Sequence, residues 1–199
     1  MPVPKGTRID PAQTRARLLD SADDLFSGRS FHAVGVSEVA ARAGASKLSL
    51  YRNFPSKEDL AADVVSRRSE RIHEWLRRET ADAPMGVERV LSIFDLLIDW
   101  FSRPEYRGCA VVNAVTDARG DEAPALRRSA RRHLERYREL LRERISESGV
   151  ADAAAVDRLA SHLLLLIEGA TSVTVVDGES SRAGADAREA AATLLEFAR

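Results

Sequence analysis

Residues 36–60, VSEVAARAGASKLSLYRNFPSKEDL, constrain the fold more than any other stretch of the chain. Val39, Ala40 and Ala43 give a short helix one apolar face, and Ser37 is its expected N-cap, because a serine hydroxyl accepts from an otherwise orphan amide. Gly44 stands where the chain must stop and turn. Ser46 is expected to cap a second short helix with Leu50 and Phe54 on one side, leaving Ser46, Lys47, Ser49 and Arg52 on a polar, basic side. Pro55 breaks that helix, and Ser56 caps a longer one that begins at Lys57. Two short helices, a tight turn and a basic second helix predict a helix-turn-helix shaped for a DNA major groove. Helix, small residue, helix is also a common sequence in all-helical proteins, so geometry alone leaves simple packing open.

Composition narrows the class. Gly and Pro are scarce, at 11 and 7 of 199 residues, while Ala, Leu, Arg and Glu dominate, which predicts an all-α chain. A net charge of −1 argues against a general polyanion binder, but the charge is unevenly placed. Residues 1–57 hold 9 Lys or Arg against 5 Asp or Glu, and the remainder holds 21 against 26. A basic N-terminal module on an acidic body suits DNA contact by one end. The single cysteine, Cys109, excludes an intramolecular disulfide and fits a reducing cytoplasm. MPVPKGTRID lacks the apolar run of a signal peptide, and the longest apolar block, 163–167, ends at Glu168, so no membrane span is expected.

In chain order, residues 1–9 form an arm carrying Lys5 and Arg8, suited to phosphate or minor-groove contact or to being a plain tail. Asp10-Pro11 opens a helix to about residue 27. A long helix is expected over 57–80, a linker over 81–86, and helices over 87–103 and 110–117. Arg119-Gly120-Asp121 makes a break, and helices follow over 124–148, 153–176 and 185–198. The total is about nine helices, divided as 1–56 for DNA binding and 57–199 for the body. Leu126, Ala130, His133, Tyr137 and Leu141 form one inward face. The helix at 153–176 is apolar on two sides, more than one core needs. Glu70 and His73 form a Glu-x-x-His pair, but a di-iron site needs two such pairs. Four histidines far apart in sequence, no Gly-rich phosphate loop and no metal-ligand spacing predict neither enzyme nor cofactor nor metal site.

The string from Ser37 to Leu60 resembles the N-terminal signature of TetR-type transcriptional regulators. The matching residues are Val39-Ala40, Ala43-Gly44, Ser46-Lys47, Leu50-Tyr51, Phe54, Ser56-Lys57-Glu58 and Leu60, covering roughly the first third of the chain. Two positions depart from the pattern: Ala45, where Val is usual, and Leu48, where Gly is frequent. The resemblance implies a homodimer that reads a palindromic operator in double-stranded DNA and is released by a small-molecule inducer. It implies DNA contacts from Ser37, Ser46, Lys47, Leu48, Ser49, Tyr51, Arg52 and Lys57, with Ser37 and Lys57 on backbone phosphates. It also implies that the last two helices pair with their copies, with Leu163, Leu166, Val173, Leu194 and Leu195 as interface candidates. Trp100, Phe101, Cys109, Asn113, His133 and Tyr137 are the candidates for the effector site, each with core packing as the alternative. Cys109, two residues after Arg107 and at a helix start, raises a further alternative: a switch by oxidation or alkylation. Regulation by a partner protein is another.

Overall fold

The structure, a computed structural model, describes residues 11–104, 106–118, 123–150, 152–178 and 181–198. The N-terminal arm with Lys5 and Arg8, the cap Asp10 and the break at 119–121 lie outside the described residues. Among the described residues there are nine helices and no strand: α1 Pro11–Gly28, α2 Val36–Arg42, α3 Lys47–Asn53, α4 Lys57–Glu79, α5 Val87–Phe101, α6 Ala110–Asp117, α7 Pro124–Glu147, α8 Ala153–Asp177 and α9 Ala183–Phe197. The chain divides into two compact units, Met1–Arg68 with Ala110–Arg131, and Ser69–Cys109 with Arg132–Arg199.

The first unit closes around Leu18, Ala22, Leu25, Val34, Val39, Leu50, Phe54, Leu60 and Val64. Apart from Val34 in the turn before α2 and Phe54 at the C-cap of α3, these residues come from α1 to α4, so each short helix contributes only a few core contacts and none could stand alone. Arg68 fastens α4 to α1: its Nε donates to Asp23 Oδ1 at 2.5 Å, and its Nη2 to Asp23 O and Ser27 Oγ, both at 2.7 Å. The Arg68 side chain is only 10 % exposed, so removing Asp23 would strand a buried cation at a cost of about 3–5 kcal/mol. At the start of α7, a Glu58 carboxylate oxygen accepts the Ala125 N–H, placing a negative charge where the helix dipole favours it.

The second unit is built on Leu76, Ile93, Leu97, Leu140, Leu141, Ile145, Leu163 and Leu195, all buried. α9 lies against both α5 and α8. It begins at Ala183, two residues before the sequence expectation, and Gly184 falls inside the helix rather than in a loop. A Cβ at residue 184 would stand 2.8 Å from Ile98 Cγ1 and 3.2 Å from Phe101 Cδ2, so this glycine serves close helix packing rather than a turn. Asp152 caps α8 as expected, accepting from the Ala154 and Ala155 amides at 3.2 and 3.0 Å. α8 has an 18-residue window of mean hydropathy 1.6, enough by length and composition alone for a bilayer span. Its apolar residues Val156, Leu159, Leu163, Leu164 and Ile167 are instead buried in the second unit's core.

Candidate nucleic-acid interface and the polar cluster of the second unit

The turn between α2 and α3 is set by backbone hydrogen bonds. Ala45 N–H donates to Ala40 O at 2.9 Å and Gly44 N–H to Ala41 O at 3.1 Å, the paired bonds of a Schellman ending. Gly44 takes φ +63°, a left-handed conformation that a side chain would oppose. Ser46 then caps α3, accepting the Ser49 amide at 3.0 Å, while the two serine hydroxyls lie 3.0 Å apart. Leu50 is fully buried, which turns the opposite side of α3 outward. That outward side carries Lys47, Arg52, Leu48 at 61 % exposure and Tyr51 at 43 %.

Lys47 and Arg52 form no ion pair or hydrogen bond among the described residues. By contrast Arg15, Arg29 and Arg42 are paired with Asp63, Glu38 and Asp24. Lys47 and Arg52 therefore put two exposed, unpaired cations, among the described residues, on the outward side of α3.

Two expected positions differ. α2 starts at Val36 with Gly35 as its N-cap and no side-chain cap bond, so Ser37 lies within the first turn, exposed, and does not cap. Lys57, at the first position of α4, places its Nζ 4.3 Å above the Phe31 ring. Burial pushes its ammonium pKa down, while the nearby Asp117 carboxylate raises it. The same carboxylate accepts the Phe31 N–H. Lys57 thus has a packing role that its sequence position did not reveal.

In the second unit the structure gathers Cys109, His133 and Tyr137, as the effector expectation grouped them. His133 Nε2 lies 3.5 Å from Cys109 Sγ, and its Nδ1 lies 3.0 Å from Ser69 Oγ. His73 Nε2 is 3.1 Å from the His133 carbonyl oxygen, which can only accept, so this nitrogen carries a proton. The other His73 nitrogen, Nδ1, is buried without a hydrogen-bond partner among the described residues. The Tyr137 ring stands edge-on to both imidazoles, with centroids 4.6 and 5.2 Å away.

Burial dominates the titration of this cluster. It lowers the His73 pKa to about 4 and the His133 pKa to about 3, so both rings are neutral at physiological pH. It raises the Glu168 carboxyl, and it holds the Tyr106 and Tyr137 phenols protonated, Tyr106 near about 12. Glu168 and His73 were not placed in this group by sequence. Glu168 marked only the end of an apolar block, and His73 only a Glu-x-x-His pair.

Trp100 and Phe101 lie in an adjoining aromatic group, with Trp100 6.4 Å from Trp75 and 5.2 Å from Tyr106. Asn113 is exposed on α6, in the first unit. Arg107 donates to the Pro104 and Tyr106 carbonyls at 2.8 and 2.7 Å, so its guanidinium is committed to the loop backbone. Two interface candidates are also displaced. Leu163 and Leu195 are both fully buried in the unit's own core and have no surface left for a partner.

Two family models match this chain. Residues 18–64 match the bacterial regulatory proteins of the tetR family, and residues 86–194 match the tetracyclin repressor-like C-terminal domain. The chain belongs to the TetR family. This TetR-family protein spans less than half the length of the first curated regulators it matches. It is similar to the HTH-type transcriptional activator FasR of Mycolicibacterium smegmatis, 30 % identical over 96 residues, a match spanning 48 % of this chain and 44 % of that protein.

Its fold is that of a TetR-family transcriptional regulator from Streptomyces coelicolor, with a TM-score of 0.74 at 22 % identity over 94 % of this chain and 96 % of the other. The regulator FadR from Bacillus subtilis, solved in complex with stearoyl-CoA, shares the fold with a TM-score of 0.68 at 16 % identity, over 90 % of this chain and 96 % of that one.

Proposed function

We propose that this regulator is a cytoplasmic homodimeric repressor, bound to a palindromic operator through α3 and released by a small molecule held in its second unit. The observation that carries the DNA part is the outward side of α3. Lys47 and Arg52 stand without partners among the described residues, beside exposed Leu48 and Tyr51, on a helix fixed by a Schellman turn and a serine cap. Lys47, Leu48, Ser49, Tyr51 and Arg52 are assigned to bases and adjacent phosphates, and Ser37, Ser46 and Lys57 to the flanking backbone. The similarity of residues 86–194 to a repressor-like C-terminal domain supports repression.

Dimerisation is supported by two apolar stripes. On α8, Leu165, Leu166, Gly169, Val173 and Val176 recur at spacings of three and four, with Leu165 71 % and Val176 84 % exposed. On α9 the corresponding stripe is Ala190, Leu194 and Phe197, the last 89 % exposed. Helices with such a face bury it against another helix, and a two-fold dimer matches a two-fold operator. Of the expected interface set, Leu166, Val173 and Leu194 keep this role.

For the effector, Trp100, Phe101, Cys109, His133 and Tyr137 supply aromatic walls with buried polar groups, the usual make-up of a small-molecule site. A non-covalent ligand is the reading adopted; the protein acts by binding and not by catalysis. Selection of genomic fragments by the purified protein, followed by transcription from the recovered promoters in vitro, tests this. Recovery of one palindromic motif with reduced transcription is the expected result. Recovery of unrelated sequences, or stimulated transcription, would overturn it.

A further inference from the structure

We propose that Cys109, His133 and Glu168 form a three-ligand site for one divalent transition-metal ion of the zinc class in the second unit. No local motif signals it, since the three residues come from separate places: one immediately before α6, one within α7 and one within α8. Their donor atoms nevertheless all lie within 4.8 Å of one another. The best-defined edge, His133 Nε2 to Cys109 Sγ, is 3.5 Å. Zinc–sulfur and zinc–nitrogen bonds of about 2.3 and about 2.0 Å at a tetrahedral angle place their ligand atoms about 3.5 Å apart. Only Glu168 must close further on that edge, and a glutamate side chain has the rotamer freedom to do so.

The surrounding hydrogen bonds favour a ligand role over simple packing. His133 Nδ1 faces Ser69 Oγ at 3.0 Å, so an Nδ1–H donated to that hydroxyl leaves the Nε2 lone pair aimed at the thiol and the carboxylate. His73 Nε2 lies 3.1 Å from the His133 carbonyl oxygen and 3.2 Å from His133 Nδ1, so it approaches the ring from the Nδ1 side and leaves Nε2 facing the thiol. The Glu168 carboxylate is half-buried and makes no hydrogen bond or ion pair among the described residues. An acidic group in that setting lacks the partner that burial normally demands.

Charge closes the argument. A thiolate, a carboxylate and a neutral imidazole together carry −2, which a dication cancels. Arg136, whose positive charge bears on His133, is already engaged with Glu70 at 3.3 Å. Sulfur and imidazole donors select zinc, cobalt, nickel or copper over magnesium or calcium. The fourth position of a tetrahedral ion is left to water or an outside donor.

The test uses the full-length protein freed of metal by a chelator, with Co²⁺ as the spectroscopic probe and Zn²⁺ as competitor, in the absence of DNA. The expected result is one Co²⁺ per chain with a sulfur-to-cobalt charge-transfer band in the near ultraviolet, displaced by one equivalent of Zn²⁺. Cys109→Ser removes that band, and Glu168→Gln weakens Zn²⁺ binding by at least about 100-fold. Helix content by circular dichroism is read on both variants. Should Cys109→Ser fail to fold, the affinity of Glu168→Gln decides. Folded wild type that retains no cobalt, cobalt bound without the thiolate band (as at the exposed His32 and His162), or Zn²⁺ affinity untouched by Glu168→Gln would each overturn the site. Because no DNA is present, failure here leaves operator binding standing, and failure of operator binding leaves the metal site standing.

Discussion

Replacing Lys47 by Gln isolates the electrostatic share of operator binding. Lys47 is exposed and has no partner among the described residues, so its loss should move folding stability by no more than about 0.5 kcal/mol. On DNA, each lysine neutralising a phosphate contributes about 0.9 to the slope of log affinity against log salt. A dimer loses two such contacts, so the slope should become shallower by about 1.8. Between 50 and 200 mM salt, that difference makes the wild type lose about 12-fold more affinity than the variant.

Fluorescence anisotropy with a labelled operator fragment, titrated across that salt range, reads both slopes directly. A change of about 0.9 instead of about 1.8 would mean that one protomer binds, refuting the dimer. An unchanged slope would refute the assignment of α3 as the DNA-facing helix. Lys57→Gln is the contrasting case. Its ammonium stands over the Phe31 ring at 4.3 Å, so this variant should also lose up to about 1 kcal/mol of stability in thermal melts.

Leu165→Arg should lower the molecular mass measured by light scattering from dimer to monomer and weaken operator binding, with helix content retained, because Leu165 is 71 % exposed on the α8 stripe. An intact dimer would place the interface elsewhere. Gly184→Ala should destabilise by about 1–3 kcal/mol in urea unfolding, since the added methyl would meet Ile98 and Phe101; a gain in stability would show that α5 and α9 yield easily. Acid should weaken the metal-free protein through His73 and His133. Their folded pKa values, about 4 and about 3, lie below the ordinary 6.5, so the unfolded chain binds more protons in between. The stability due to the neutral pair is complete above pH 6.5 and is lost as pH falls from there towards 4 and 3, by up to about 1.4 kcal/mol per pH unit for each ring. Melting in chelator should show this, and His73→Gln should flatten the profile; an unchanged profile would locate the acid sensitivity in other groups.

Features encoded over a few residues were legible in the sequence. Ser46 and Asp152 cap the helices they were expected to cap, Gly44 supplies the left-handed residue that ends α2, and Leu126, Ala130, His133, Tyr137 and Leu141 do face inward along α7. Each depends on hydrogen bonds or side-chain periodicity within one or two helical turns, and the helix-turn-helix is assembled from such signals. One local signal that failed was Ser37, where Gly35 takes the cap position instead.

Tertiary structure decided what periodicity leaves open. A helix apolar on two sides does not say which side meets its own core, and α8 buries Leu163 while turning Leu165 outward. Gly184 looks like a chain breaker in a GESSRAG run, and only the closeness of Ile98 and Phe101 shows why no side chain fits there. Cys109, His133 and Glu168 are 24 and 35 residues apart along the chain, and their meeting depends on how separate helices pack. Such packing is a balance of many weak, long-range contacts, and no short stretch of sequence carries it.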